Sequence, residues 1–302
     1  MTGKERVFAA FRHEETDQVP WVPFAGVHAG KLIGETAKSV YTDQGALIRS
    51  LEEVHKLYRP DGQPIMFDLQ IEAEFLGCDL LWSEDAPPTV TSHPLEGSDE
   101  IPETLPTGKE GRLEMALAAT RHMNEAVGSQ TALYGLFCGP FTLASHLRGT
   151  NIFMDMFDDP EYVSRLLDYT TRIGEAMAKL YVDAGADVIA SVDPLVSQIS
   201  PDHFEEFLSG PYTRLFGSIR ELEAFSSFFV CGDATRNIEV MCKSGPDGIS
   251  IDENINMAEA KKTTDKFNVT IAGNIPLASV MLFGNQQDNM KVVIDELDAV
   301  DD

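Results

Sequence analysis

The stretch SSFFVCGDATRNIEVMC, residues 226–242, contains an apolar run that stops abruptly at Cys231, Gly232 and Asp233. The run is rich in aromatic and apolar residues and predicts a buried strand at 226–231, while the pattern after the turn predicts a helix at 235–243. A strand that leads directly into a helix is a βα unit. The cysteine at the point where the strand opens into a loop is therefore a candidate functional residue.

The same alternation of strand and helix patterns runs through the chain. Apolar runs predict further strands at 19–24, 64–68, 131–137, 187–193, 247–252 and 268–273. Helical spacing and N-terminal capping signals predict further helices at 44–58, 110–127, 159–184, 201–223, 257–263 and 286–298. Near-continuous apolar strands are typical of parallel sheets covered on both faces. The pattern predicts an α/β fold, either a (β/α)₈ TIM-type barrel with an incomplete C-terminal βα unit or a doubly wound sheet.

Two further features of the sequence bear on its architecture. No strand is followed by the G-x-G-x-x-G spacing with which a doubly wound fold holds a dinucleotide. The Pro-rich segment at about 78–108 is too irregular for a second domain and predicts an excursion from the barrel. We therefore expect a single barrel domain over 1–302, with an N-terminal extension before the first strand.

The charge of the chain excludes some classes of partner. Asp and Glu number 49 against 23 Lys and Arg, which gives a formal net charge of −26. Such a charge repels phosphate backbones and anionic membranes, so neither nucleic acid nor a membrane is expected as a partner. The N-terminal residues lack a secretory signal pattern, and no segment holds 18 uncharged apolar residues. We expect a cytoplasmic protein whose four cysteines are reduced.

Titratable residues follow several of the predicted strands. His28 follows the first strand, Asp68 and Glu72 the second, Asp193 the fourth and Cys231 the fifth. Both a barrel and a doubly wound sheet place their ligands at the C-terminal ends of their strands. The sequence therefore predicts a functional rim at that edge of the sheet, whichever architecture is present.

Several motifs together resemble those of the uroporphyrinogen decarboxylase superfamily, which includes the zinc-dependent corrinoid methyltransferases. The motifs are GPFTLASHLRG (139–149), DPLVSQISPDHFEEF (193–207), FVCGDAT (229–235) and IAGNIPLASVMLFG (271–284). The resemblance begins at KERVFAAFRHEETDQVP (4–20) and rests on the order and spacing of the motifs. It implies the TIM-type barrel rather than the doubly wound sheet.

The decarboxylase branch differs from this sequence at one important stretch. The resemblance implies an arginine-bearing segment after the first strand, which grips the carboxylates of a porphyrinogen. Here that segment is WVPFAGVHAGKLIG (21–34), and no arginine lies between Arg12 and Arg49. Asp68 does match the essential aspartate of the decarboxylases. Uroporphyrinogen decarboxylation is therefore an alternative rather than the favoured prediction.

The methyltransferase branch implies a zinc site that this sequence matches only in part. The resemblance implies a His-x-Cys pair at the end of the fifth strand and a cysteine in a later Gly-Cys pair. Cys231 matches the first cysteine, Phe229 stands at the histidine position, and no Gly-Cys pair follows. We predict Cys231 and Glu72 as zinc ligands. Cys231 as a packing residue and Glu72 as an acid that complements a helix dipole are the structural alternatives.

Three further residues are predicted to be catalytic. Asp68 or His28 would place or protonate an oxygen of the substrate, and His28 is also a second candidate ligand. Asp193 would orient the substrate or a metal-bound water. The structural alternatives are a histidine hydrogen-bonded within its loop and an aspartate that caps a loop.

The resemblance implies an enzyme that works with a separate corrinoid protein and a small-molecule methyl donor. The favoured reaction moves a methyl group from an aryl methyl ether to the cobalt of the corrinoid, with assistance from zinc. The alternatives are a methylcobamide:thiol methyltransferase, a uroporphyrinogen-type decarboxylase, and a degenerate barrel that only binds a small ligand.

Overall fold

A parallel sheet lies at the centre of the computed structural model, which describes residues 1–300. The strands are β1 (Gly62–Pro64), β2 (Leu80–Leu81), β3 (Thr89–Val90), β4 (Ala132–Cys138), β5 (Val188–Val192), β6 (Phe225–Phe229), β7 (Gly248–Ser250) and β8 (Thr270–Ala272). Within these residues the main sheet has six parallel strands in the order β1-β4-β5-β6-β7-β8. Strands β2 and β3 form a separate antiparallel pair.

Helices cover the outer face of this sheet, as the alternating pattern predicts. They are α1 (Gly3–Phe11), α2 (His28–Leu32), α3 (Ala37–Thr42), α4 (Gln44–Tyr58), α5 (Ile71–Phe75), α6 (Gly111–Val127), α7 (Pro140–Arg148), α8 (Ile152–Asp158), α9 (Pro160–Asp183), α10 (Pro201–His203), α11 (Ser209–Glu221), α12 (Ile238–Lys243), α13 (Met257–Thr264) and α14 (Gln286–Val300). The predicted α/β fold of TIM type is confirmed: the six strands form a curled half-barrel.

The predicted strand at 19–24 is not a strand of this sheet. Trp21 lies beside the start of β1, and its carbonyl accepts the N–H of Asp61 at 2.8 Å. A regular ladder does not continue from this bond, because Pro20 and Pro23 have no N–H to donate. The segment contacts the start of β1 through Trp21 without belonging to the main sheet.

The two faces of the sheet bury different sets of side chains. Along β4, Leu133 and Phe137 face the helices, while Tyr134 and Leu136 face the interior of the half-barrel. This alternation follows from the two-residue period of a strand. Because helices cover one face and aromatic side chains the other, the strands read as almost continuously apolar.

Helix α1 closes the end of the half-barrel opposite the predicted rim. Thr2 and Glu5 form a capping box that starts the helix. Phe11 reaches into the interior and stacks on Phe225 of β6, with ring centroids 5.0 Å apart. The Oγ1 of Thr270 in β8 donates to the carbonyl of Ala10 at 2.9 Å. The predicted N-terminal extension thus contains a helix that packs against β6 and β8.

The excursion at 78–108 packs on the outer helices through Arg148 of α7. Its guanidinium donates to the carbonyls of Leu95 and Ser98 at 2.7 and 3.1 Å. The same group bonds Asp155 of α8 at 2.7 Å and lies 4.5 Å from the ring centre of Tyr162. One partly buried arginine therefore joins the excursion to the helices that follow β4. None of the helices within residues 1–300 is long and apolar enough to span a membrane.

Candidate functional site

Cys231 and Asp252 are neighbours at the C-terminal rim of the sheet. Cys231 follows β6, Asp252 follows β7, and these two strands pair in the sheet. The Oδ2 of Asp252 accepts the N–H of Gly232 at 2.8 Å, which brings the carboxylate to the residue after Cys231. Both side chains are partly exposed. The rim therefore presents a thiol and a carboxylate side by side.

Three aromatic rings line the interior next to this pair. Phe229 of β6 lies two residues before Cys231 and therefore faces the same side of the sheet. Its ring centroid is 5.1 Å from that of Phe24 and 5.7 Å from that of Phe67. All three rings are partly exposed. We call Phe24, Phe67 and Phe229 the aromatic wall.

Burial and charge set the protonation of the two rim groups in opposite ways. Burial, followed by the negative charge of Asp252, raises the pKa of the Cys231 thiol to about 11. Burial also acts to raise the pKa of Asp252, but hydrogen bonds from Gly232 and Asn254 outweigh it, and the pKa is lowered. At neutral pH the free rim thus holds a protonated thiol beside an ionised carboxylate.

Glu72 lies away from this rim, in the layer between the sheet and the helices. Its side chain on α5 is 1% exposed, and neither carboxylate oxygen has a hydrogen-bond partner among residues 1–300. Burial raises its pKa to about 8. Cys138, Tyr181 and Asp68 are among its neighbours, as their mutual electrostatic effects show. The structure does not bring Glu72 together with Cys231.

Asp68 is held by an arginine that the sequence reading missed. Arg112 of α6 bonds Asp68 through Nη1 and Glu74 through Nε, the latter at 2.7 Å. The guanidinium also lies 4.9 Å from the ring centre of Trp82 in the excursion. Burial raises the pKa of Asp68, and the charge of Arg112 opposes that change. Asp68 is 1% exposed, so in this conformation its carboxylate contacts protein groups and not solvent.

Asp193, which directly follows β5, binds the start of α7 and a tyrosine of α11 through its carboxylate. Its fully buried carboxylate accepts the N–H groups of Phe141 and Thr142 at the start of α7, at 2.9 and 3.0 Å. It also accepts the hydroxyls of Thr142 and Tyr212, both at 2.5 Å. Four donors from two helices therefore converge on one carboxylate. These contacts hold the first turn of α7 rather than the turn that follows Asp193 itself, so they differ from the loop cap that was the structural alternative.

His28 lies at the start of α2 and is exposed. Its Nε2 is 2.7 Å from the hydroxyl of Tyr58, at the end of α4, and the two rings stack. This hydrogen bond is the structural alternative given for His28. The catalytic roles of His28, Asp68 and Asp193 stay predictions.

The rim supplies few donors for the zinc ion that the resemblance implies. Zinc in proteins takes three or four ligands from Cys, His, Asp and Glu. Among residues 1–300, no group of three such side chains is placed to hold a metal ion. Cys231 and Asp252 are two donors, Phe229 has none, and Glu72 is enclosed elsewhere. The residues that the structure describes therefore do not fit a zinc site.

Some of these features could have been read from the sequence. Asp252 ends a predicted strand and faces the same rim as Cys231, so its position was available from the βα pattern. The ion pair of Arg112 with Asp68 could not be predicted from the sequence, because the two side chains meet only through the packing of α6 against α5. The aromatic wall brings together rings from three separate segments and gave no local signal.

Comparison with known proteins agrees with this fold. A family model described as uroporphyrinogen decarboxylase matches residues 2–301. A methylcobamide:CoM methyltransferase from Methanosarcina acetivorans is 28% identical over 294 residues, which is 95% of this chain and 86% of the relative. A uroporphyrinogen decarboxylase from Nostoc punctiforme is 26% identical over 77% of this chain and 67% of its own length.

Among solved structures, a methyltransferase from Methanosarcina mazei superposes with a TM-score of 0.88. It is 24% identical, and the match covers 99% of this chain and 89% of that protein. This similarity concerns the fold.

Proposed function

The chain belongs to the uroporphyrinogen decarboxylase family, and from this premise we propose that it is an enzyme that transfers a methyl group between a small substrate and the cobalt of a corrinoid protein. The relative from Methanosarcina acetivorans supports this proposal, because its name states a methylcobamide:CoM methyltransferase and it aligns with 95% of this chain. The corrinoid protein and the small methylated compound are the proposed partners.

The composition of the rim is the observation that carries the proposal. A partly exposed thiol and three partly exposed aromatic rings form an apolar surface suited to a neutral methyl-bearing compound. A porphyrinogen instead needs cationic groups for its carboxylates. Arg112 is occupied by Asp68 and Glu74, and Arg148 by Asp155 and the excursion. These contacts support methyl transfer over decarboxylation of a polycarboxylate.

An aryl methyl ether is the substrate that the aromatic wall favours. The ring of the ether would pack on Phe24, Phe67 and Phe229, because aromatic pairs attract in tilted and offset arrangements. Cobalt(I) of the corrinoid protein would supply the electron pair that forms the new bond to the methyl carbon. The carbon–oxygen bond breaks, and the oxygen leaves with that bond's electrons and takes a proton. The thiol of Cys231, whose raised pKa keeps it protonated at neutral pH, would donate a hydrogen bond to this oxygen.

A thiol as methyl acceptor is the second candidate, and the names of the relatives favour it. Here the sulfur of the substrate supplies the electron pair of the new bond to the methyl carbon, the cobalt–carbon bond breaks with its electrons left on cobalt as cobalt(I), and the thiol proton passes to solvent. The carboxylate of Asp252, whose pKa is lowered, would accept a hydrogen bond from such a thiol. Both reactions use the same rim in opposite directions.

Free cobalamins test the proposal without the natural partner. Cob(I)alamin with methoxybenzene should give methylcobalamin, or methylcobalamin with 2-mercaptoethanesulfonate should be demethylated, as followed by visible absorbance. Cys231→Ala should lower the rate at least about tenfold, because alanine has no group to donate and a positioned donor contributes 10²–10⁴-fold in such sites. Cys242→Ala, at a buried cysteine of α12, is the matched control.

If the folded protein neither methylates cob(I)alamin nor demethylates methylcobalamin, the proposal of methyl transfer is contradicted. Conversion of uroporphyrinogen with release of carbon dioxide would instead establish the decarboxylase alternative. Saturable binding of a ring compound with no reaction of any kind would indicate the binding barrel.

A further inference from the structure

Phe229 stands beside Cys231 and Asp252, at the position where a third metal ligand would be needed to complete a site with these two. The pairing with β7 continues one residue past the end of β6, where the N–H of Val230 bonds the carbonyl of Ser250 at 3.0 Å, so the alternation of side chains puts residues 229 and 231 on the same side. The ring of Phe229 contacts Phe24 and Phe67, so an apolar group stands beside the thiol. A phenyl ring offers no electron pair to a cation in the way that an imidazole or thiolate does.

The other two donors of such a site are already in place. Asp252 reaches from the end of β7 to the N–H of Gly232, and its charge acts on the thiol of Cys231. Its Oδ1 accepts from the backbone of Asn254 at 2.9 Å, so the carboxylate is held in one orientation. A carboxylate and a thiol on adjacent strands are two of the three ligands that an open zinc site requires.

We propose that this rim holds no resident zinc ion because Phe229 takes the place of the third donor, and that one substitution, Phe229→His, completes a Cys, Asp and His site. This proposal rests on the proposed function, because it takes the rim at Cys231 to be the site of methyl transfer. It implies that the unsubstituted rim receives the apolar part of the methyl substrate where a metal ion would otherwise stand.

Zinc binding to the purified chain tests this inference without any measurement of turnover. Zinc is titrated against a chromophoric chelator for the unsubstituted protein, Phe229→His, and the double variants that add Cys231→Ser or Asp252→Asn. Phe229→His should bind one equivalent at least about tenfold more tightly than the unsubstituted chain, and either second substitution should remove most of that gain, as loss of a ligand does.

Phe225→His is the matched control for the added histidine. Phe225 lies on the same face of the same strand, but its ring packs on Phe8 and Phe11 and the guanidinium of Arg12 lies 5.7 Å from its centre, an apolar and cationic environment unlike that of Cys231 and Asp252. The histidine placed there should leave zinc affinity unchanged. Phe229→Cys serves as a smaller donor if the histidine variant does not fold, which circular dichroism reports.

Two results would overturn the inference. One is stoichiometric zinc in the unsubstituted protein that disappears in Cys231→Ser. The other is a folded Phe229→His and a folded Phe229→Cys that both bind zinc no better than the unsubstituted chain. If zinc behaves as expected and no methyl transfer occurs with free cobalamins, the proposed function fails while the inference stands.

Discussion

Glu72 shows how a single enclosed carboxyl makes stability depend on pH. Its pKa is about 8 in the folded protein, because burial penalises the charged form, against 4.5 as its ordinary value. Between these values only the folded state holds the proton, so unfolding releases it. The free energy of unfolding should therefore fall as pH rises from about 4.5 to about 8, by at most ~1.4 kcal/mol per pH unit from this group.

Glu72→Gln should remove this contribution, since the amide is neutral in both states. We expect the variant to be more stable than the unsubstituted chain above about pH 5, with a difference that grows up to about pH 8. Urea denaturation across this range measures it. Glu114→Gln on the exposed face of α6 should show no such trend. A difference independent of pH would mean that Glu72 is ionised in the folded protein.

Asp193 is predicted to matter first for stability. Asp193→Asn should lower the free energy of unfolding by roughly 3 kcal/mol, because an amide cannot accept all four of the donors that the carboxylate satisfies. Denaturant unfolding measures the loss. Asp233→Asn, at an exposed residue whose carboxylate bonds the N–H and hydroxyl of Thr235, should cost less than about 1 kcal/mol. An undiminished stability together with lost methyl transfer would favour the catalytic role of Asp193.

Among the elements, the excursion at 78–108 depends on Arg148 for its attachment. Arg148→Ala removes the bonds to Leu95, Ser98 and Asp155 and the contact with Tyr162. We expect faster hydrogen exchange in the segment around 95–98, because its carbonyls lose their partner, with little change in the strands of the main sheet. Mass spectrometry of exchanged peptides reports this. Arg165→Ala, whose guanidinium lies 5.8 Å from the same ring, is the control.

The elements also show what the sequence could predict. Periodicity gave α4 at 44–58 with its observed bounds and placed the strands of the main sheet within a few residues. It failed at 19–24, where two prolines interrupt pairing, and at short helices such as α2 and α5, whose five residues contain too few turns for a period to appear. The strand pattern placed Cys231 at the end of β6, where the structure has it, and the role of Cys231 stays a prediction. The pattern could not show that Glu72 faces the helix layer, since that depends on how α5 docks on β4.

At the scale of the whole molecule, the excess of acidic side chains opposes the compact state. The formal net charge of −26 is spread over a surface on which exposed acids outnumber bases, so like charges repel when the chain folds. Salt screens such exposed pairs over about 10 Å at 0.1 M, whereas it screens buried pairs much less. Buried ion pairs such as Arg112–Asp68 and Arg6–Asp61 should therefore persist while the surface repulsion weakens.

The melting temperature should consequently rise with ionic strength. From about 10 mM to about 0.5 M NaCl at pH 7.5 we expect an increase on the order of 2–5 °C, since relief of a few kcal/mol of repulsion at most corresponds to such a shift in a chain of this size. Calorimetry measures it, and KCl in place of NaCl separates screening from binding of a particular cation. The salt effect should shrink near pH 5, because the chain approaches its isoelectric point of about 4.5 and carries less charge. A melting temperature that falls with salt at pH 7.5 would mean that exposed ion pairs, rather than the net negative charge, dominate the electrostatic energy of the fold.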